Sequence, residues 1–177
     1  MPAVITRGAF SAKAFGFAGS SAPVLPAGTI GIFALGSNSS GVRTTIRNKY
    51  TFACDTNGTA AVASIASCGG AAAGNVTRGI FAHGQVGAGT GSTTRNKYTY
   101  GSDTSGSATA SSSNSTNSSA TGNSTRGIFA LSYNGACIIA TREKYTYSSD
   151  TNGSATSASI ASYNGSGASN GTCGVNV

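Results

Sequence analysis

The chain has no tryptophan, one histidine, one methionine, three prolines and only four acidic residues in 177. Few carboxylates and a single imidazole leave little material for acid–base catalysis, which needs positioned acids, bases or nucleophiles. The four cysteines, Cys54, Cys68, Cys137 and Cys173, form no CxxC spacing, and the one histidine is His83. A zinc site is therefore not expected, and no cofactor is. Leu, Ile, Val and Phe together make 28 of 177 residues, or 16 %, below the roughly 20 % at which disorder competes with folding. Only 15 residues are charged, so charge-driven disorder is not the reading either. No apolar run approaches about 18 residues, which excludes a membrane-spanning helix, and no heptad pattern exists.

The net charge is +7. The basic residues recur as single positions rather than as a clustered patch, which argues against specific nucleic-acid recognition. Four cysteines allow free thiols or two bridges in three pairings; free, buried thiols are the simpler expectation. The first residues, Met-Pro-Ala-Val-Ile-Thr-Arg, lack the basic-then-apolar order of a secretory signal. Nine Asn-x-Ser/Thr sequons, among them Asn57, Asn75 and Asn123, follow from composition.

What the chain has in abundance is repetition. Gly31-Ile32-Phe33-Ala34 returns as Gly79-Ile80-Phe81-Ala82 and as Gly127-Ile128-Phe129-Ala130. Arg47-Asn48-Lys49-Tyr50-Thr51-Phe52 returns as Arg95-Asn96-Lys97-Tyr98-Thr99-Tyr100 and as Arg142-Glu143-Lys144-Tyr145-Thr146-Tyr147. An aspartate follows each block: Asp55, Asp103 and Asp150. The units run 31–78, 79–126 and 127–173, after an arm at 1–19 and a Pro-containing linker at 20–30. Residues 174–177 repeat the opening of a unit and are expected to begin a fourth strand.

Each unit reads as β. The Gly-Ile-Phe-Ala run is short, apolar and bounded by glycine, and the Lys-Tyr-Thr-Tyr run places its two aromatics on one face. Asn57-Gly58 and Asn152-Gly153 are tight-turn signals. The following Ala/Ser/Thr stretches suit strands that let neighbouring sheets approach closely. Ile32, Phe33, Phe52, Ile65, Ile80, Phe81, Ile128, Phe129 and Ile160 are expected to dominate the core, each burying far more apolar area than an alanine. The second unit has polar residues in place of Ile65 and Ile160 and is expected to be the loosest. The recurring Arg, Lys and Asp are expected to form an exposed, turn-stabilising ion pair within each unit, contributing about 0–1 kcal/mol.

This order of apolar strand, Tyr-x-x-x-x-Asp block, Asn-Gly and small-residue strand resembles the kelch-type β-propeller repeat. Leu35-Gly36 stands where that family has a diglycine, and the family's tryptophan is missing. The Thr-Arg-Gly-Ile-Phe pattern is similar to repeats of phage tail and virion proteins and of bacterial surface proteins. The leading segment from Ile5 to Phe17 is similar to those of phage structural proteins. The resemblance implies propeller-like blades in an all-β chain. Propellers have about four to eight blades, so three units imply completion by a homo-oligomer, as a six-bladed ring of two chains or a head-to-tail series. A β-trefoil or β-prism is the alternative.

The implied function is that of a non-enzymatic virion protein of a tail fibre, spike or baseplate, involved in host attachment and assembled in the host cytoplasm with other virion proteins. The alternative is a bacterial surface or extracellular-matrix protein that binds glycans or polymerises. The arm carries Phe10, Phe15 and Phe17 as a capping strand or docking element. Loops 36–46, 84–94 and 132–141 vary between units, and such loops on a rigid scaffold carry binding. Tyr133, Asn134 and Tyr163 are the candidates for stacking on and hydrogen-bonding to a host-surface sugar. His83 stands where other units have Leu35 and Leu131, so packing is its expected role.

Overall fold

The computed structural model describes residues 29–34 and 36–176. The arm, with Phe10, Phe15 and Phe17, and most of the linker lie outside the described residues. Those described are all-β: thirteen strands in four separate antiparallel sheets, and no helix. The first sheet is β1 (Ile30–Ala34), β2 (Arg47–Thr51) and β3 (Thr56–Ala60). The second is β4 (Ala71–Gly74), β5 (Arg78–Ala82), β6 (Arg95–Thr99) and β7 (Thr104–Ala108). The third repeats that plan as β8 (Ser119–Gly122), β9 (Arg126–Ala130), β10 (Arg142–Thr146) and β11 (Thr151–Ala155). The fourth is a hairpin of β12 (Gly167–Ser169) and β13 (Gly174–Asn176).

Sheets and sequence repeats are offset. The second, third and fourth sheets each take their first strand from the small-residue end of the preceding repeat, as β4 does when Ala73 pairs with Ile80. The link from that strand to the next is an asparagine-closed turn. Asn75 Oδ1 accepts from the amides of Thr77 and Arg78, and Asn123 and Asn170 repeat this geometry. Asn at these sequons thus closes a turn, its short amide substituting for a backbone acceptor.

The Asn-Gly expectation is corrected. Asn57-Gly58 and Asn152-Gly153 lie inside β3 and β11, paired with Tyr50-Lys49 and Tyr145-Lys144. The reversal comes earlier, in the four residues between paired Thr51 and Thr56. It ends on an aspartate with positive φ: 51° at Asp55, 50° at Asp103 and 53° at Asp150. Aspartate tolerates the left-handed region because its carboxylate bonds locally. The tyrosine hydroxyl five residues upstream donates to it, over 2.6 Å in both Tyr50–Asp55 and Tyr98–Asp103.

The sheets stack in sequence order. β4 packs on β8 and β9, and β12 and β13 pack on β8. The approach is close enough that a Cβ on Gly127 would stand 3.0 Å from the Cβ of Ala73 in the sheet before it. The small-residue strands therefore do let sheets come together.

The core lies between sheets, and its composition corrects the expected list. One cluster joins Ala60 of the first sheet to Phe81 and Tyr98 of the second. The other joins Ile80 and Ala82 of the second to Phe129, Leu131, Tyr145 and Tyr147 of the third. Ile80, Phe81 and Phe129 are buried as expected, and Ile32 and Ile128 are half-buried. Phe33, Phe52, Ile65 and Ile160 are exposed. Phe33 and Phe52 lie on the first sheet, which no described sheet precedes, and Ile65 and Ile160 fall in the loops after β3 and β11. The middle unit, expected to be the loosest, is flanked by a sheet on either side, and its Ser111, Ser115 and Ser119 are all buried.

Candidate functional site

Strand alternation gives each sheet two chemically different faces. In β6, Arg95 and Lys97 point one way, and Asn96 and Tyr98 the other. The first face gives cations to the next sheet, and the second receives them from the previous one. The charged groups meet between units, and this corrects the expected pair within each unit.

At the junction of the first and second sheets, Lys49 Nζ lies 2.6 Å from Asp103 Oδ2. The other carboxylate oxygen accepts from Tyr98 Oη at 2.6 Å and from the Ala61 amide at 3.0 Å. Arg47 donates to Asn96 Oδ1 and Ser105 Oγ and lies 4.4 Å above the Phe81 ring. The junction of the second and third sheets repeats this plan. Lys97 Nζ is 2.8 Å from Asp150 Oδ2, and the Thr109 amide and Tyr145 hydroxyl hold the other oxygen. Arg95 donates to Asn152 Oδ1 and lies 4.6 Å above Phe129. Where the first junction has Asn96, the second has Glu143, 2.7 Å from Arg95.

Exposure separates the two kinds of pair. The Lys–Asp pairs are about a third exposed, whereas the Arg95 and Glu143 side chains are 0 % and 3 % exposed. The Lys49 ammonium, then the Tyr98 hydroxyl and the Ala61 amide, lower the Asp103 pKa to about 2. Burial alone would raise that of Asp150, but Lys97, Tyr145 and the Thr109 amide together lower it. Burial lowers the pKa of Arg95, and Glu143 opposes that shift. Sequence reasoning missed these pairings. One signal was present: the second block changes from Asn to Glu only in the third unit.

His83 is 4 % exposed. Its Nδ1 meets Ser67 Oγ at 2.8 Å, and its Nε2 meets Asn96 Oδ1 at 2.9 Å. This Ser–His–Asn chain borders a cavity of about 280 Å³ between the first two sheets. Acyl transfer also needs amides free to hold an oxyanion. The amides of Cys68 and Gln85 beside the chain are spent on each other's carbonyls. Asn96 Oδ1 further accepts from Arg47 and the Ser64 amide. The chain is thus a satisfied polar plug at the position that buried Leu131 fills in the third unit.

The backbone at Tyr133 and the backbone beside Tyr163 meet neighbouring positions of one segment. The Tyr133 carbonyl accepts from the Thr116 amide, and the Asn164 amide beside Tyr163 donates to the carbonyl of Asn117. Tyr163 is 53 % exposed. Tyr133 is half-buried, and its hydroxyl donates to Gly135 O. The Asn134 side-chain oxygen accepts from the amides of Ala136 and Cys137, so only its NH₂ is free of that turn. All four thiols are free, and Cys54, Cys137 and Cys173 are exposed rather than buried. Among the described residues, no three His, Cys, Asp or Glu side chains come together to hold a metal. No described helix is long and apolar enough to cross a membrane. Compared with protein-family models and with curated proteins, the chain matches none.

Proposed function

We propose that the chain is a non-enzymatic structural subunit of a virion, of the tail-fibre, spike or baseplate kind, that assembles with further copies and presents loops for host attachment. One observation carries the non-enzymatic part. Of the four carboxylates, Asp103, Glu143 and Asp150 are each ion-paired across a junction between sheets. The acidic side chains serve to join units, which is the economy of a scaffold.

In this reading the sheets are propeller-like blades. The reading draws on the succession of β4, β8 and β12 and on the four separate sheets that follow the repeats. The phage assignment rests on the Thr-Arg-Gly-Ile-Phe repeats and on the leading segment, Ile5 to Phe17. Attachment is assigned to the surface carrying Tyr163 and Tyr133, where an exposed ring can stack on a sugar. The test is mass spectrometry of washed virions beside washed host cells. Peptides of this chain in the virions support the reading. Their restriction to the cell surface would move it to a bacterial surface or matrix protein. Loss of glycan binding in Tyr163→Ala and Tyr133→Ala supports the attachment surface, and unchanged binding removes it.

A further inference from the structure

The described chain makes the same junction twice and presents both halves of a third. Its receiving half is on the first sheet. Phe33 holds the repeat position of Phe81 and Phe129, the two rings that carry a guanidinium, yet it is 56 % exposed. Asp55 holds the position of Asp103 and Asp150. Each of those accepts a tyrosine hydroxyl, a backbone amide and a lysine. Among the described residues Asp55 accepts only the Tyr50 hydroxyl, and it is exposed. Phe52, at 59 % exposure, extends this face.

The giving half is on the third sheet. Lys144 holds the position of Lys49 and Lys97 but makes no ion pair among the described residues. Arg142 holds the position of Arg47 and Arg95 and borders a cavity of about 370 Å³ with Ser159 and Ile160. At the two internal junctions, the guanidinium at this position lies over the next sheet's phenyl ring. Ile160 beside the cavity is 75 % exposed.

The geometry points to a head-to-tail interface in which the Arg142–Lys144 face of one copy receives the Phe33–Asp55 face of a second copy of this chain. Lys144 pairs with Asp55, Arg142 stacks on Phe33, and the Thr156 amide, twelve residues after Lys144 as Ala61 is after Lys49, reaches the second carboxylate oxygen. The interface is heterologous, so repeated joining builds a ring or a filament rather than a twofold dimer. Gly174 repeats Gly79 and Gly127, so β13 stands where β1 of the incoming copy belongs. Docking exchanges the three-residue β13, whose Val175 is 62 % exposed, for β1. The exchange gives β1 an inner strand, β12, in the place that β4 and β8 take beside β5 and β9.

This inference rests on the reading of the chain as a subunit that assembles with its own copies, and its test separates the two. Native mass spectrometry under reducing conditions is run on full-length wild type, Asp55→Lys, Lys144→Asp and an equal mixture of the two variants. Circular dichroism establishes that each variant keeps its β signature. The expected result is a multimer for wild type, the 17.3 kDa monomer for each variant, where reversal sets like charges against each other, and multimers again in the mixture. Variants that assemble as wild type overturn this interface and leave self-assembly standing. Variants that stay monomeric even when mixed overturn the Lys144–Asp55 pairing. A wild type that is monomeric throughout overturns both.

Discussion

Lys49 and Asp103 are 54 residues apart in the chain, and their side chains meet at 2.6 Å across the boundary between two sheets. The lysine belongs to one repeat and the aspartate to the next, so this pair measures how firmly a unit holds its successor. Lys97 and Asp150 form the same relationship one unit further on.

These aspartates make the junctions acid-sensitive. The folded-state pKa of Asp103 is lowered from 3.8 to about 2, and that of Asp150 is lowered too. A depressed carboxylate pKa stabilises the fold above the unfolded pKa, and the contribution is lost as pH falls through the folded value. Thermal midpoints are therefore expected to drop as pH is lowered from about 4 towards 2. Asp103→Asn lowers the midpoint at neutral pH and flattens that slope. An unchanged slope would show that Asp103 is not held as described.

Two buried tyrosines are expected to respond differently to loss of the hydroxyl. Tyr98 is 0 % exposed and donates to the charged Asp103, so Tyr98→Phe costs about 1.5–3 kcal/mol, the net worth of a hydrogen bond to a charged group. Among the described residues the buried hydroxyl of Tyr147 has no hydrogen-bond partner, and removing an unsatisfied polar atom recovers its desolvation cost. Tyr147→Phe is expected to be neutral or stabilising. Urea denaturation of both variants decides it, and equal losses would contradict the assignment.

How much of this was legible in the sequence depends on whether a residue's neighbour lies within its own unit. The Gly-Ile-Phe-Ala and Lys-Tyr-Thr strands were legible because alternation and β propensity are local properties. The pairing of aromatics within a block was too: the Tyr98 and Tyr100 rings lie 5.5 Å apart. The turn was misplaced because Asn-Gly is a strong local signal, and the Tyr–Asp bond that places the reversal earlier spans five residues. Phe33 and Phe81 sit in the same motif, yet one is exposed and the other buried, because among the described residues only Phe81 has a sheet in front of it. The Lys-to-Asp offset of six was visible, but composition could not say that each lysine crosses to the aspartate of the following unit.

Close approach of the sheets gives a further pair of predictions. In Gly127→Ala the new Cβ would stand 3.0 Å from Ala73 Cβ and from the Tyr147 hydroxyl. Overpacking of this kind costs about 1–3 kcal/mol. A Cβ on Gly153, in β11, meets nothing within 4 Å, so Gly153→Ala is expected to leave the thermal midpoint unchanged or raise it slightly. Similar losses in both would mean that the sheets do not meet at Gly127.

Successive units are coupled through charged side chains that cross their boundary, and the buried Arg95–Glu143 pair is the most enclosed of these links. A double-mutant cycle of Arg95→Met and Glu143→Gln, read by urea denaturation, tests this coupling directly. Each single change strands a buried partner and is expected to cost about 3–5 kcal/mol. The double variant should cost less than their sum, with a coupling of about 0.5–3 kcal/mol. Single losses within about 0.5 kcal/mol, the range of ordinary surface changes, combined additively in the double variant, would show that the units are not coupled through this pair.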